Sequence, residues 1–287
     1  MVGVSDAGEL LTIAVDVVRG AADLVLAMRT EAIADVSTKS TRTDVVTAAD
    51  RAAEAYVIDA LRTRRPGDAV LGEESGEHST AGTGTAGARR EGMPEPASEA
   101  GRVRWILDPI DGTVNYLYGL PQYAVSLAAE RDGLVVAGVV RNAATGEQWT
   151  AVRGGGAYRS GHRLACSAVT ELSQTLVATG FGYAAARRAH QARVLAGLLP
   201  LVRDIRRFGA ASLDLCFAAE GRFDAYFEKG LSAWDHAAGG LVAAEAGLVV
   251  SGLAGQPPGP DLVLAAPPGV YRQLHDALVA FDAAGGP

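Results

Sequence analysis

Two aspartates three positions apart end an apolar segment in the middle of the chain. The segment reads Trp-Ile-Leu-Asp-Pro-Ile-Asp-Gly-Thr over residues 105–113, so Asp108 and Asp111 flank a proline. Because proline fixes its own φ, the stiffened turn lets both carboxylates point the same way at little entropic cost. The segment holds no Lys or Arg, and the two charges would repel each other unless a hard cation neutralised them. Mg²⁺ prefers such oxygen ligands and usually keeps waters for a phosphate-bearing substrate.

The residues after Asp111 are suited to an anion. If Gly112 and Thr113 open a short helix, their backbone amides can bind a phosphate. The same pattern is also typical of an aspartate that caps a helix, with a second aspartate on the surface. This segment alone therefore leaves a metal–phosphate site and a capped helix both open.

Three further acidic positions lie where a strand candidate ends or a helix candidate begins. Glu73 follows a short apolar run in Gly-Glu-Glu-Ser, Asp235 opens an apolar helix in Trp-Asp-His-Ala-Ala-Gly, and Asp50 lies early in the second helix candidate. Each position alone is typical of a surface turn or an N-cap. The ends of regular elements are also where layered folds collect their ligands.

Hydrophobic periodicity indicates the elements that would position these acids. Apolar residues recur with helical spacing over residues 6–30 and 47–61. Strands are predicted at 69–71, 103–107, 123–127, 134–140, 148–152, 157–158, 175–178, 204–208, 223–227, 248–251 and 262–265, and further helices at 185–198, 212–219, 234–246 and 270–280. The elements mix without a strict β-α-β repeat, which favours an α+β fold, or an αβαβα sandwich, over a doubly wound sheet or a barrel.

Residues 76–101 interrupt this pattern. They hold six glycines and no Ile, Leu, Val, Phe, Tyr or Trp. Such a segment cannot bury apolar area to offset the entropy of ordering. It is predicted to be a mobile surface insertion within a single domain that spans residues 1–287.

Composition excludes several classes of protein. The 26 basic and 33 acidic residues give a formal net charge of −7, which disfavours nucleic acids and anionic membranes as partners. The two cysteines cannot form a disulfide framework and match no zinc-site spacing. No apolar run is long enough to span a bilayer, and the N-terminus is acidic where a signal peptide is basic. A cytoplasmic location is expected.

The order and surroundings of the acids resemble the inositol monophosphatase family of Mg²⁺-dependent, lithium-sensitive phosphatases. The resemblance rests on Gly-Glu-Glu-Ser at 72–75, Asp-Pro-Ile-Asp-Gly-Thr at 108–113 and Trp-Asp-His-Ala-Ala-Gly at 234–239, in that order. Val-Thr-Ala-Ala-Asp at 46–50 matches a fourth family element, and the similarity extends to about Ala266. The resemblance implies a layered αβαβα sandwich of the sugar-phosphatase type and a homodimer.

The resemblance also implies roles for individual residues. The metal ligands would be Glu73, Asp108, the Ile110 carbonyl, Asp111 and Asp235, holding two or three Mg²⁺. The catalytic set would be Asp50 and Thr113, which orient the attacking water, with Glu73. The substrate would contact Asp111, the amides of Gly112 and Thr113, the wall formed by Gly209, Ala210 and Ala211, and Glu228, which matches an acid that binds sugar hydroxyls. Lys39 would lie in a mobile flap that closes the site.

The expected reaction is Mg²⁺-dependent hydrolysis of a phosphate monoester by metal-activated water, with myo-inositol 1-phosphate as the favoured substrate. The absence of a Cys or His nucleophile motif and of a G-x-x-x-x-G-K-[ST] loop favours direct attack by water. Val-Asn-Tyr after Thr113, together with Glu228, favours a polyol over a nucleotide. Histidinol-phosphate and fructose-1,6-bisphosphate phosphatases are rivals within the superfamily. A non-catalytic interaction or regulatory protein is the alternative from another class.

Overall fold

The computed structural model describes residues 4–32, 36–38, 45–79 and 102–287. Seven α-helices occur in these ranges: α1 Val4–Ala32, α2 Ala48–Arg64, α3 Thr113–Tyr118, α4 Ala185–Leu198, α5 Ala211–Glu220, α6 Ala233–Glu245 and α7 Pro268–Ala280. The strands there are β1 Val36–Thr38, β2 Val45–Thr47, β3 Ala69–Gly72, β4 Gly76–Ser79, β5 Val103–Asp111, β6 Ala124–Arg131, β7 Leu134–Asn142, β8 Gln148–Val152, β9 Gly156–Arg159, β10 His162–Arg163, β11 Leu176–Thr179, β12 Asp204–Arg206, β13 Ala225–Glu228, β14 Val249–Ser251 and β15 Val263–Ala266. None of the helices described is both long enough and apolar enough to cross a bilayer.

An eight-stranded sheet forms the first half of the fold, with the order β10-β9-β8-β7-β6-β5-β3-β4. Its neighbours are antiparallel except β3 and β5, which run parallel. The long helix α1 packs with α2 on one face of this sheet. The apolar stripe that predicts α1, which includes Leu10, Val17 and Val25, is buried against the sheet.

A second sheet of five strands has the order β12-β11-β13-β15-β14 and mixes parallel and antiparallel pairs. Helices α5 and α6 share one hydrophobic core with residues of both sheets. Helices α4 and α7 share a third core with the second sheet. The layers therefore follow the order αβαβα, which confirms the predicted α+β sandwich.

Glycines let the central helices approach their neighbours closely. A Cβ at Gly239 in α6 would lie 2.8 Å from the Ser212 carbonyl oxygen in α5 and 3.0 Å from Leu215 Cβ. A Cβ at Gly138 in β7 would lie 3.0 Å from Ala238 Cα. Helix α6 is thus packed against both α5 and the first sheet, and its N-terminus lies at the end of β5.

The predicted surface loop at 76–101 is wrong in its first four residues. Residues 76–79 form β4, which pairs antiparallel with β3 across a turn at residues 73–75 and begins at Gly76, where φ is +77°. A hairpin of this kind is held by backbone hydrogen bonds and needs no apolar side chains. Residues 80–101 lie outside the described ranges. The single-domain assignment stays a prediction.

Candidate active site

Strand β5 carries two of the candidate ligands at its C-terminal end. Its pairing with β6 is regular as far as Asp108 and shifts register before Asp111, because Pro109 between them lacks the N–H that a ladder requires. Both carboxyl groups are buried. Carboxylate oxygens of Asp108, Asp111 and Asp235 all lie within 4.8 Å of one another, and these three side chains are called the carboxylate cluster below.

Asp111 also holds the start of helix α5. Its carboxylate accepts hydrogen bonds from the backbone amides of Ala211 at 3.1 Å and Ser212 at 2.7 Å, and from the Ser212 hydroxyl. The amides of a first helical turn have no partner within the helix, so Asp111 satisfies them from a distant strand. Burial raises the pKa of Asp111 to about 6, although the hydrogen bonds from Ser212 hold it down.

Asp235 lies in the first turn of α6 and accepts a hydrogen bond of 2.6 Å from the amide of Ser232, the N-cap residue. The capping interpretation and the ligand interpretation of this residue are therefore both compatible with the geometry. Capping fixes the side chain while its carboxylate faces Asp108 and Asp111. Burial, and then the charges of Asp111 and Glu73, raise its pKa well above the ordinary value.

Glu73 is positioned by an acid from another element. The buried carboxylate of Glu54 in α2 accepts hydrogen bonds from the Glu74 amide, at 3.0 Å, and from the Ser75 hydroxyl. A Cβ at Gly72 would collide with this carboxylate, which explains why the turn begins with glycine. The turn holds Glu73 in the pocket wall beside Asp108.

Asp50 and Thr113 lie together behind the carboxylate cluster. The Thr113 hydroxyl is 3.3 Å from Asp50 Oδ1 and 3.0 Å from the Ile110 carbonyl oxygen, so its single proton is directed between them. Asp50 Oδ2 accepts hydrogen bonds from the amide and hydroxyl of Thr47, at 2.7 and 2.6 Å, which completes a capping box with Thr47 as the N-cap residue of α2. The predicted pairing of Asp50 with Thr113 is therefore present in the fold.

The carboxylate cluster has the donor set and the electrostatics of a cation site. Asp108 Oδ1 is buried and accepts no hydrogen bond within the described part of the chain. None of the described Lys or Arg side chains forms an ion pair with the three aspartates of the cluster. Burial, and then the charges of Glu73 and Asp111, raise the pKa of Asp108 well above its ordinary value. The carboxylate oxygens of the cluster repel one another, and a hard divalent cation bound between them would neutralise that repulsion.

A pocket of about 420 Å³ opens over the carboxylate cluster. Gly112 and Thr113 line it, and Gly112 has a φ of +87° that starts α3 without a capping side chain. Gly209 and Ala211 lie on its wall as predicted, but the buried Ala210 does not line it. The Ala210 side chain points beneath the wall, because it packs against the Gly112 turn.

Glu228 ends β13 on the pocket wall. It accepts a hydrogen bond of 2.6 Å from the buried Tyr226 hydroxyl. Burial raises the pKa of Glu228 to about 7, although Tyr226 and Arg207 oppose the shift. Glycine at position 180 is required here, since a Cβ would overlap the Glu228 carboxylate.

Sequence reasoning missed four residues that shape the site: Glu54, Arg187, Arg207 and Ser212. Ser212 follows the predicted wall directly and could have been noticed as a capping residue at a helix start. Arg207 precedes the wall by two positions, in Arg-Arg-Phe-Gly. Glu54 and Arg187 leave no pattern in the sequence, because they reach the site only through folding. Lys39, predicted in a flap, lies outside the described residues.

Comparison with known proteins gives consistent matches along the chain. Residues 6–281 match the profile of a family described as the inositol monophosphatase family. The chain is 45% identical over 252 residues to the inositol-1-monophosphatase SuhB of Mycobacterium tuberculosis, covering 86% of this chain and 82% of that protein. It is 37% identical over 247 residues to a Salmonella typhimurium protein named Nus factor SuhB, covering 86% of each. The solved structure of Mycobacterium tuberculosis SuhB superposes with a TM-score of 0.78 at 39% identity, covering 97% of this chain and 98% of that one.

Proposed function

This chain belongs to the inositol monophosphatase family, and we propose that it is a Mg²⁺-dependent phosphatase that hydrolyses myo-inositol 1-phosphate to inositol and phosphate. The observation that carries the proposal is the buried carboxylate cluster, with its unpaired Asp108 oxygen, at a pocket whose wall also bears Glu228. A cation site beside a polyol-binding acid fits a phosphate ester of a polyol.

The ligands are assigned as two overlapping sets. Glu73, Asp108 and the Ile110 carbonyl would hold one Mg²⁺, and Asp108, Asp111 and Asp235 a second, with a weaker third ion reached from Glu73 through waters. When bound, Mg²⁺ supplies charge neutralisation and a lowered pKa for a bound water. The short distances between the aspartate oxygens support this assignment.

Asp50 and Thr113 would orient the attacking water. The Thr113 proton is directed toward Asp50 and the Ile110 carbonyl, so the hydroxyl presents its lone pairs to a water in the pocket. Attack by that water forms one P–O bond and breaks the ester P–O bond, and the proton that the water loses is balanced by the proton that the leaving alkoxide takes up. None of the described residues that line the pocket is a cysteine or a histidine, which favours water as the nucleophile.

The remaining residues would hold the two ends of the substrate. The amides of Gly112 and Thr113 open α3 without intrahelical partners and would bind phosphate oxygens. The Glu228 carboxylate, oriented by Tyr226, would accept hydrogen bonds from polyol hydroxyls. Histidinol phosphate carries an amine where inositol carries hydroxyls, and fructose 1,6-bisphosphate carries a second phosphate, so the three candidate substrates differ in the groups that they would present to Glu228.

Phosphate release tests the proposal directly. Inositol 1-phosphate, histidinol phosphate, fructose 1,6-bisphosphate and a nucleotide bisphosphate are compared at equal concentration, with Mg²⁺ and with a chelator. We expect release from inositol 1-phosphate to be fastest and to require Mg²⁺. Release from histidinol phosphate above all others would overturn the substrate assignment only. No release from any ester would overturn the enzyme assignment and favour an interaction protein, a role suggested by the name Nus factor of the Salmonella relative.

A further inference from the structure

Asn115 is a buried polar residue close to the site, and the proposed chemistry gives it no role. It lies in α3, two positions after Thr113, and is 4% exposed. It is the middle residue of the Val-Asn-Tyr pattern that favours a polyol substrate, but it does not itself line the pocket. Any influence on the substrate must therefore act through the residues that Asn115 contacts.

The side-chain amide of Asn115 connects two segments that are distant in the sequence. Its Nδ2 donates hydrogen bonds of 2.8 Å to the Gln122 carbonyl oxygen and of 2.8 Å to the Phe208 carbonyl oxygen. The Gly209 carbonyl oxygen lies 3.3 Å away and shares one of the two protons. Since all three neighbours are acceptors, only the NH2 group of the amide can face them. The segment after α3 is thereby joined to the segment before α5.

Residues 208–212, called the wall segment below, are held at both ends by residues of one sequence motif. At one end, Asp111 accepts hydrogen bonds from the backbone amides of Ala211 and Ser212. At the other end, Asn115 donates to the first two carbonyl groups of the wall segment. Because Asp111 ends β5 and Asn115 lies in α3 just after it, the two contacts fix the wall segment relative to the start of α3.

The start of α3 is in direct contact with both segments that Asn115 joins. A Cβ at Gly112 would lie 2.6 Å from the Gln122 carbonyl oxygen, 3.1 Å from Ala210 Cβ and 3.3 Å from the Gly209 carbonyl oxygen. The backbone proposed to bind phosphate is therefore packed against the wall proposed to bind the polyol. A shift of the wall segment would change the distance between the two.

Phe208 is anchored from the opposite side. Its ring stacks on Phe223, with centroids 5.9 Å apart and an interplanar angle of 16°, and it meets Phe217 edge-on at 6.1 Å. Phe217 and Phe223 belong to the core shared by both sheets. The Phe208 carbonyl group is thus held by the core, and the hydrogen bond from Asn115 ties the segment after α3 to that position.

We propose that Asn115 is a positioning residue that sets the distance between the phosphate-binding turn and the polyol-binding wall. The inference rests on the proposed phosphatase function and deepens its substrate class. The pocket selects esters whose alcohol portion reaches the wall segment while the phosphate is held at the carboxylate cluster. An ester without hydroxyl groups makes no use of this distance, so Asn115 should matter for inositol 1-phosphate and much less for phenyl phosphate.

The test compares kcat/KM for inositol 1-phosphate and phenyl phosphate in the full-length protein with Mg²⁺. We expect Asn115→Ala to lower the value for inositol 1-phosphate by about tenfold or more, because the wall loses its fixed position relative to the phosphate. The value for phenyl phosphate should fall by less than about threefold, because its phosphate contacts do not depend on the wall. The loss should appear in KM, since the wall binds the alcohol in the ground state and the transition state alike.

Asn142→Ala is the matched control. Asn142 is a fully buried asparagine whose Nδ2 donates to the Pro121 carbonyl oxygen at 3.0 Å and whose Oδ1 accepts hydrogen bonds from two backbone amides of the following turn. It does not line the pocket, and its hydrogen bonds within the described chain do not involve the wall segment. This variant should lower the melting temperature as Asn115→Ala does, yet leave the ratio of the two kcat/KM values unchanged.

Each result decides the inference. An equal loss for both esters in Asn115→Ala, or the same change of ratio in Asn142→Ala, would overturn the positioning role, because either would indicate a general loss of structure. If Asn115→Ala does not fold, Asn115→Ser takes its place, since serine keeps a polar side chain that is too short to join the two carbonyl groups.

A failure of the proposed function is distinguishable from a failure of this inference. If the unchanged protein hydrolyses neither ester, the proposed function fails, and calorimetric affinities for inositol 1-phosphate and inorganic phosphate decide the role of Asn115. We then expect Asn115→Ala to weaken the binding of inositol 1-phosphate and to leave that of inorganic phosphate unchanged. Equal weakening of both ligands, weakening of neither, or no binding of either by the unchanged protein would overturn the positioning role.

Discussion

At the scale of single residues, Asp108 and Asp111 occur in similar sequence contexts but differ in the hydrogen bonds that they accept. Asp108 has an oxygen that nothing in the described chain satisfies, whereas Asp111 holds three donors at the start of α5. Activity should depend on both residues, but only the loss of the Asp111 carboxylate should lower the stability.

We expect Asp108→Asn to abolish phosphate release while the metal-free protein melts at the same temperature or higher. The substitution removes a buried charge that is repelled by Glu73, Asp111 and Asp235, and it removes a ligand common to both proposed ions. Thermal melting in chelator and phosphate release in Mg²⁺ measure the two effects. Near-normal release from this variant would remove the metal assignment.

Asp111→Asn is the matched comparison. The Asn side chain would place an NH2 group against the N–H and O–H donors of Ala211 and Ser212, which then have no acceptor. This variant should therefore lose about 1–3 kcal/mol of stability as well as activity. Equal melting temperatures for the two variants would show that the contacts with Ala211 and Ser212 contribute nothing to the fold.

The sequence indicated the acids of the site and left open whether they cap helices or bind metal. The structure shows that Asp111 and Asp235 satisfy helix termini and also converge with Asp108, so these alternatives are not exclusive. Glu54 could not be found in this way. Its carboxylate holds the turn of Glu73 from 20 positions away, and no local pattern records such a contact.

At the scale of elements, the site depends on how closely α6 crosses α5. Gly239→Ala should lower the stability by about 1–3 kcal/mol, because its Cβ would meet the Ser212 carbonyl oxygen at 2.8 Å. It should also lower kcat, since Ser212 holds Asp111 and α6 carries Asp235.

Gly240→Ala provides the control one position along the same helix. The nearest atom to its Cβ would be Val250 Cγ1 at 3.9 Å, which is ordinary contact. Alanine should therefore stabilise the helix by up to about 1 kcal/mol through its higher propensity. Chemical denaturation compares the two variants, and equal losses would refute the packing argument.

Long periodic elements were predictable because their burial is regular. The helix predicted at 185–198 has the same bounds as α4. The strand predicted at 134–140 corresponds to β7, which continues two residues further, to Asn142. Strand β4 was missed because its Gly-Glu-His-Ser sequence carries no apolar alternation. Its place is determined by pairing with β3, which is a property of the sheet and not of the segment.

At the scale of the whole molecule, the clustered acids predict how stability changes with pH. Burial raises the pKa of Asp111 to about 6 and that of Glu228 to about 7, from ordinary values of 3.8 and 4.5. The folded protein therefore binds protons that the unfolded chain releases, so the free energy of unfolding of the metal-free protein should fall as pH rises from about 4 to about 7.

Mg²⁺ should reverse this trend, because ionised carboxylates bind it and protonated ones do not. We expect the increase in melting temperature caused by Mg²⁺ to be larger at about pH 8 than at about pH 5. Melting with and without Mg²⁺ at both pH values tests this. A metal-free protein whose stability rises over that interval would contradict the assigned burial of charge.

The layered architecture was predictable from the mixture of elements, and the family resemblance implied the same sandwich. What a single sequence does not contain is the pairing between distant parts, such as the shared core of α6 with strands of the first sheet. The homodimer implied by the resemblance stays a prediction.

The order of the layers has a consequence for how the protein is made. The eight-stranded sheet is complete once Arg163 has been synthesised, but α6, which covers its inner face, begins at Ala233. At roughly 5–20 residues per second, the ribosome needs several seconds to add the intervening segment. During that time we expect Ile106, Ala128 and Trp149, which end up in the central core, to lack the helix that covers them in the folded protein. Exposed apolar surface of this kind favours aggregation, so we expect a translational pause between Arg163 and Ala233 to increase the dependence of folding on a chaperone.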